Sequence, residues 1–260
     1  MLVAVQSSDE STNMLLEDRT CLVTGGSRGI GRGIAAELGA YGANVIVNYR
    51  SSEDAAYEVR DEINDGPGDA VVAQADVADF DEVQAMYEAI GAEYGGVDVL
   101  VNNAGITVDT KFDEMSKEDW ERVIDVNLGG VFNCTKTCFD DLREAEEGRL
   151  INISSVVGQQ GNYGQANYAT TKSGLFGFTR TIALEMARYG STANCVAPGF
   201  VETDMLADVP DRVRENILDR IPLDRFAQVE DIVGMVRFLA SHESSYMTGQ
   251  VLGINGGMEW

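Results

Sequence analysis

A short apolar run, Cys21-Leu22-Val23, passes directly into Thr24-Gly25-Gly26-Ser27-Arg28-Gly29-Ile30-Gly31, and then into a helical apolar pattern that closes at Gly42. Few folds accept this junction. A strand, a glycine-rich turn and a helix start bring backbone N–H groups and the positive end of a helix dipole to one point, which suits a phosphate. Glycine lets a ligand come close to the backbone there. The spacing is Gly-x-x-x-Gly-x-Gly rather than the commoner Gly-x-Gly-x-x-Gly. A glycine-rich turn alone is compatible with an ordinary loop; its place after the first strand points to a dinucleotide. The candidate contacts are Gly25, Ser27, Arg28, Gly29, Ile30 and Gly31.

The same strand–helix alternation runs through the chain. Strands are predicted at 44–48, 70–74, 97–101, 149–153, 192–196 and 250–254. Helices are predicted at 53–63, 80–94, 117–147, around Tyr168, at 203–220 (acidic and mobile in character) and at 229–239. This order predicts an α/β fold: one domain with a doubly wound parallel sheet, both faces covered, and ligands at the strands' C-terminal ends. The expected boundaries are an N-terminal extension at 1–17, read as frayed, and the domain at 18–260.

The ends of the strands carry the other candidates. Folds that choose NAD place an acid at the end of the second strand, to bind the ribose 2′-OH. Here that place holds Asn48, followed by Tyr49, Arg50 and Ser51. With Arg28 as a second cation, the pattern predicts a 2′-phosphate and hence NADP(H); a solvated surface arginine is the plain alternative for Arg50. Asp76 and Val77 follow the third strand at the cleft mouth, where a helix cap is the other role for Asp76. Asn102-Asn103-Ala104-Gly105 follows the fourth. Its small residues let something flat pack close, and Asn103 can bond a sugar or the backbone. Asn127 sits mid-helix, where propensity disfavours it; a site role and a kink-stabilising hydrogen bond are both open.

Tyr168-Ala169-Thr170-Thr171-Lys172 then places a phenol and an amine on one helix face. A phenol titrates near 10, and a cation close by favours the phenolate, so such a pair suits proton transfer. By itself it is also two unrelated surface residues. The helix that carries it is apolar over more than one stripe, which predicts broad burial, including in a subunit interface.

Composition closes off several classes. Forty-three acids oppose nineteen bases, for a net charge of −24. Nucleic acid and anionic membranes are therefore poor partners. The acids dot helix faces, and such a surface repels itself at low salt and is screened at molar salt. That predicts a halophilic protein, with an acidic partner-binding protein as the alternative. No apolar run reaches membrane-helix length and the N-terminus has no signal-peptide pattern, so a cytoplasmic protein is expected. The four cysteines are expected to be reduced core thiols, with no metal site. The sole histidine, His242, lies in a polar stretch, which argues against histidine catalysis.

From Thr24–Gly31, Asn102–Gly105, Asn127, Ser155, Tyr168 with Lys172, and Pro198-Gly199 in that order, the chain resembles the short-chain dehydrogenase/reductase family over about 18–258. The resemblance implies a single-domain Rossmann fold and a Ser155–Tyr168–Lys172–Asn127 tetrad, with Ser154 a structural neighbour. It also implies a nicotinamide cofactor touching Tyr168, Lys172, Pro198, Gly199, Val201 and Thr203, and a homotetramer. Within the family the chain is similar to 3-oxoacyl thioester reductases. The stretch from Ile151 to Thr179 is closer to the acetoacetyl-CoA reductases of polyhydroxyalkanoate synthesis. Glu146-Glu147 also stands where carrier-protein reductases tend to place basic residues, opposing an acidic carrier. The expected substrate is thus an acyl-CoA, held by Ser155, Asn162, Tyr163, Gln165 and Tyr168 and reduced to the (R)-3-hydroxyacyl product. The alternatives are a 3-oxoacyl-[acyl-carrier-protein] reductase, a sugar or polyol dehydrogenase, and a non-catalytic NADP-binding sensor.

Overall fold

The computed structural model describes residues 15–203, 206 and 209–259. The expected N-terminal extension falls mostly outside them, as do parts of the expected acidic helix. One residue assigned to the extension belongs to the domain: Leu16 is fully buried in the core, and its N–H donates to the Tyr41 carbonyl at 3.0 Å.

Seven strands form one parallel sheet: β1 (Thr20–Val23), β2 (Asn44–Tyr49), β3 (Asp69–Gln74), β4 (Val99–Asn102), β5 (Arg149–Ile153), β6 (Thr192–Pro198) and β7 (Val251–Ile254). Their order is β3-β2-β1-β4-β5-β6-β7, so the direction of winding reverses between β1 and β4. That switch point opens a crevice at the strands' C-terminal ends. The central strands β1 and β5 are buried along their whole length. This is why they read as continuous apolar runs rather than alternating ones.

The helices are α1 (Gly29–Ala40), α2 (Glu53–Asn64), α3 (Phe80–Tyr94), α4 (Lys117–Ile124), α5 (Gly130–Glu144), α6 (Val156–Gln160), α7 (Ala166–Met186), α8 (Asp211–Leu218) and α9 (Glu230–Ala240). They cover both faces. One core packs α1, α2 and α9 on the sheet; the other packs α3, α5 and α7 on the opposite side. Acids begin the first turns of α2, α3, α4, α8 and α9, where they complement the helix dipole.

The predicted helix at 117–147 is not uniform. Between α4 and α5 the segment Asp125–Gly129 widens into a π-helical turn, with Asn127 at its centre and wholly buried. Broad burial of α7 is only half met within one chain. Leu175, Thr179, Ala183 and Met186 face the sheet, while Leu184 is 80 % exposed. All four cysteines are buried and free. Among the described residues no helix is long and apolar enough to cross a membrane.

Candidate active site

The glycine-rich turn forms one wall of the crevice. Gly25 and Gly29 take φ of +62° and +55°, values that L side chains rarely adopt. Gly31 is required by contact instead: a Cβ there would lie 2.2 Å from the Gly25 carbonyl oxygen and 2.4 Å from Asn103 Nδ2. Arg28 occupies the N-cap of α1 in an extended conformation and makes no side-chain cap bond, and the first turn of α1 holds no acid. Its first N–H groups lack intrahelical partners, an arrangement that could hold an anion. Ser27 is buried beside it, and Ile30 packs on the core.

Neutral side chains hold this turn. Asn48 is buried; its Oδ1 accepts the Gly25 N–H at 3.2 Å, and its Nδ2 donates to the Ala73 and Ala75 carbonyls, each at 3.2 Å. From the other side, Asn103 Nδ2 donates to the Thr24 and Gly25 carbonyls at 2.9 and 3.2 Å. The Thr24 hydroxyl accepts the N–H groups of Asn103 and Ala104, both at 3.0 Å. The Asn48 and Asn103 side chains thus tie down backbone groups of the turn. Tyr49 is likewise a core side chain.

Arg28, Arg50 and Ser51 of this wall face solvent, and Arg50 Nη1 lies 3.6 Å from Asp76 Oδ2. Asp76 also accepts the Ala78 N–H, and the Val77 carbonyl accepts from Asn133 Nδ2. After β6 the chain returns over the crevice. The N–H of Gly199 donates to Ile254, Val201 bridges to Ala227, and a Cβ at Gly29 would lie 3.7 Å from the Thr203 methyl.

The second wall is built from β5, α6 and α7. Ser155 follows the end of β5 and caps α6, its Oγ accepting the Val157 N–H. Its side chain also favours the ionised form of the Tyr168 hydroxyl. Lys172, one turn on, is 4 % exposed; Nζ donates to the Ile153 carbonyl at 2.8 Å and lies 5.5 Å from the Tyr168 ring centroid. Asn127 Oδ1 accepts the Ile106 N–H at 2.9 Å, and its Nδ2 donates to the Ile106 carbonyl and to Thr171 Oγ1. A Cβ at Gly105 would sit 3.3 Å from Asn127 Oδ1 and 3.5 Å from Lys172 Nζ. The four residues of the expected tetrad thus gather at the ends of β4 and β5.

The electrostatics differ from the expectation that Lys172 lowers the Tyr168 pKa. Burial pushes the phenol up to about 12; Ser155 opposes this and the Asp109 carboxylate adds to it. Burial pulls Lys172 down to about 8, with Cys195 beside it acting the other way. Desolvation outweighs a cation whose Nζ is turned onto a carbonyl.

The expected acyl-binding residues separate. Asn162 and Tyr163 are exposed, Tyr163 by 82 %. Gln165 is 8 % exposed and bonded on both ends: Oε1 accepts from Asn162 Nδ2, and Nε2 donates to both Asp109 oxygens. Gln165 thus links Asn162 to Asp109. Sequence reasoning missed Asp109, four residues past the Asn-Asn-Ala-Gly turn, because a lone carboxylate in a loop carries no pattern. It also missed Gly158, where a Cβ would lie 2.7 Å from the Lys172 carbonyl carbon, so that α6 and α7 can touch only through glycine. Ser154, read as structural, is buried and donates to the Lys172 carbonyl at 2.8 Å.

The chain is similar to several known proteins. A family model described as "Enoyl-(Acyl carrier protein) reductase" matches residues 25–259. The 3-oxoacyl-[acyl-carrier-protein] reductase FabG of Staphylococcus aureus is 48 % identical over 240 residues, covering 92 % of this chain and 98 % of that one. The 3-oxoacyl-[acyl-carrier-protein] reductase of Synechocystis sp. is 48 % identical over 244 residues, with 94 % and 98 % covered. FabG of Thermotoga maritima is 44 % identical over 245 residues, with 94 % and 99 % covered.

Proposed function

Given that the chain belongs to the short-chain dehydrogenase/reductase family and is an oxidoreductase of keto and hydroxyl groups, we propose that it reduces a 3-oxoacyl thioester with NADPH. The observation that carries this is the convergence of Ser155, Tyr168 and Lys172 at the end of β5, opposite an uncapped helix start. The cradle suits a dinucleotide: glycines at 25 and 29 in conformations that side chains avoid, and an acid-free first turn in an acid-rich chain. Arg28 and Arg50, with no carboxylate at the end of β2, support the 2′-phosphate form.

When bound, the dinucleotide supplies the hydride. The chain supplies the rest. Ser155 donates a hydrogen bond to the carbonyl oxygen and stabilises the charge that develops there. Tyr168 is protonated at neutral pH, its pKa raised to about 12, and so is the acid that gives its proton to that oxygen. Lys172 keeps a cation beneath the phenol, and Asn127 fixes the Ile106 backbone that forms the site's floor.

The relatives named above are carrier-protein reductases, which supports an acyl-[acyl-carrier-protein] substrate over the acyl-CoA expected from the sequence. Part of the charge argument for CoA also weakens. The Glu147 carboxylate lies 3.0 Å from the buried Arg149 and 3.8 Å from Arg19, so it is an internal partner rather than a free surface charge. Acetoacetyl-CoA reduction for polyhydroxyalkanoate supply remains the second reading. It is favoured by the exposed Glu146 and by the net charge of −24. Operation in molar salt, a cytoplasmic location and a homotetramer with α5 and α7 at its interfaces belong to this proposal.

The test is NADPH oxidation with acetoacetyl-[acyl-carrier-protein] and with acetoacetyl-CoA, each in low and molar KCl. A higher kcat/KM for the carrier-bound substrate supports the first reading. Preference for CoA at both salt levels supports the second. Absence of turnover with either, while NADPH still binds, would overturn both.

A further inference from the structure

The end of β2 carries its arginine past the last rung of the sheet. Tyr49 pairs with Gln74 at the final register position, and the last bond of this ladder runs from the Ala75 N–H to the Tyr49 carbonyl at 3.0 Å. Arg50 stands one residue beyond, where the ladder no longer fixes it. The end of β3 holds it instead, at both its ends. Gln74 Nε2 donates to the Arg50 carbonyl at 3.0 Å, across 24 residues. The Asp76 carboxylate lies 3.6 Å from the Arg50 guanidinium. This platform is itself braced: Glu82 Oε2 accepts the Asp76 N–H at 2.7 Å, and Asp76 Oδ1 accepts the Ala78 N–H at 3.0 Å. Among the described residues no other hydrogen bond reaches the Arg50 main chain.

The Gln74 bond does little for the fold. Gln74 and Arg50 are both exposed; a hydrogen bond in water adds little net stability, and ordering a long side chain to make it costs entropy. Its place is what distinguishes it. Two residues before Arg50, Asn48 joins the glycine turn: its carbonyl accepts the Gly26 N–H at 2.8 Å and its Oδ1 accepts the Gly25 N–H at 3.2 Å. Asn48 thus fixes the end of β2 to the glycine turn, and Gln74 fixes Arg50 to the end of β3. A guanidinium meets a phosphate through a planar, two-pronged contact. That geometry depends on where the main chain beneath the arginine sits.

We infer that Gln74 is a positioning residue for cofactor choice: by fixing the Arg50 main chain it aims the guanidinium at the 2′-phosphate, and so sets how strongly NADPH is preferred over NADH. This rests on Arg50 being the 2′-phosphate contact proposed above. Gln74 acts through Arg50 alone, so NADH, which has no phosphate at that place, is indifferent to it.

The experiment is titration calorimetry of NADPH, NADH and adenosine 2′,5′-bisphosphate on wild type, Gln74→Met, Arg50→Ala and the double variant. Gln74→Met keeps the length of the side chain and removes the donor. NADPH and the bisphosphate should each bind about fivefold more weakly, the worth of one exposed hydrogen bond, with NADH affinity and the melting temperature unchanged. In the Arg50→Ala background the same substitution should change nothing further, because its effect runs through the guanidinium. Unchanged NADPH affinity in Gln74→Met, equal weakening of NADPH and NADH, or a loss that persists without Arg50 would each overturn the inference while a wild-type preference for NADPH left the cofactor reading intact. A wild type that binds NADPH no more tightly than NADH would overturn both.

Discussion

The two walls of the crevice reach opposite solutions to the same problem of handling charge. The glycine wall is backbone, fixed by neutral amides, with its two arginines on the solvent side. The α7 wall is side chain, and its one cation is buried: Lys172 is 4 % exposed while Arg28 and Arg50 face water. An anion that must bind and leave is met by dipoles and screened charges, which cost little to keep. A proton that must move is met by desolvated groups, whose affinities shift far from their ordinary values. Damage to the first wall should therefore appear as lost cofactor affinity, and damage to the second as lost turnover.

The sharpest contrast is Tyr168→Phe. It removes the proton donor and leaves the glycine wall untouched, so kcat should fall by about a thousandfold or more with the NADPH Kd within a few-fold of wild type. Single-turnover fluorescence of bound NADPH measures both. Retained kcat would break the assignment of chemistry to the α7 wall. Its counterpart is Gly31→Ala. The added methyl meets the Gly25 carbonyl oxygen at 2.2 Å, so the turn must shift. An NADPH Kd about a hundredfold weaker is expected, with about 2 kcal/mol of stability lost. Unchanged binding by titration calorimetry would show that the turn is not the cofactor's cradle.

These two residues were legible in the sequence for different reasons. Gly31 was found through position, in a glycine-rich turn after the first strand. Tyr168 was found through spacing to Lys172 and order relative to Ser155. Whole strands and helices came through because apolar periodicity is local, as for α3, expected at 80–94 and found at Phe80–Tyr94. What sequence spacing does not carry is non-local. Asn48 and Asn103 also hold backbone groups that only the folded chain brings near. Asp109 pairs with Gln165 across 56 residues, which no spacing rule encodes. The π-turn at Asp125–Gly129 is similar. A mid-helix asparagine announced an irregularity, but the partners that stabilise it, Ile106 and Thr171, lie in other elements.

A third test asks what burial costs the α7 wall. The Lys172 pKa is lowered from 10.5 to about 8. Its folded form therefore releases its proton more readily than the unfolded chain. The resulting penalty is full below about pH 8 and fades as pH rises toward 10.5. At pH 7 this amounts to about 3 kcal/mol, less about 1 kcal/mol for the hydrogen bond to Ile153 that a substitution gives up. Lys172→Met should thus be inactive yet more stable by about 2 kcal/mol at pH 7. The gain should shrink as the pH approaches 10. Urea unfolding at pH 7 and pH 9.5 measures it, and a variant less stable than wild type at pH 7 would show that Lys172 is held without strain.

The smallest expected effect belongs to the exposed pair of the glycine wall, Arg50 and Asp76. Their 3.6 Å contact joins side chains 53 % and 32 % exposed, a solvent-screened pair that contributes little to stability. Its interest lies in competition. An arginine already facing a carboxylate must leave it, or share it, to meet a 2′-phosphate. Arg50→Ala should weaken NADPH binding by about tenfold, the size of one charge-assisted contact, and leave NADH binding unchanged. Asp76→Asn frees the arginine and should tighten NADPH by about threefold or less, an advantage that molar KCl erases because the charges are screened. If Arg50→Ala weakened both cofactors equally, Arg50 would be supporting the turn rather than reading the phosphate. The glycine wall would then owe its preference to Arg28 alone, the N-cap residue that makes no side-chain cap bond of its own.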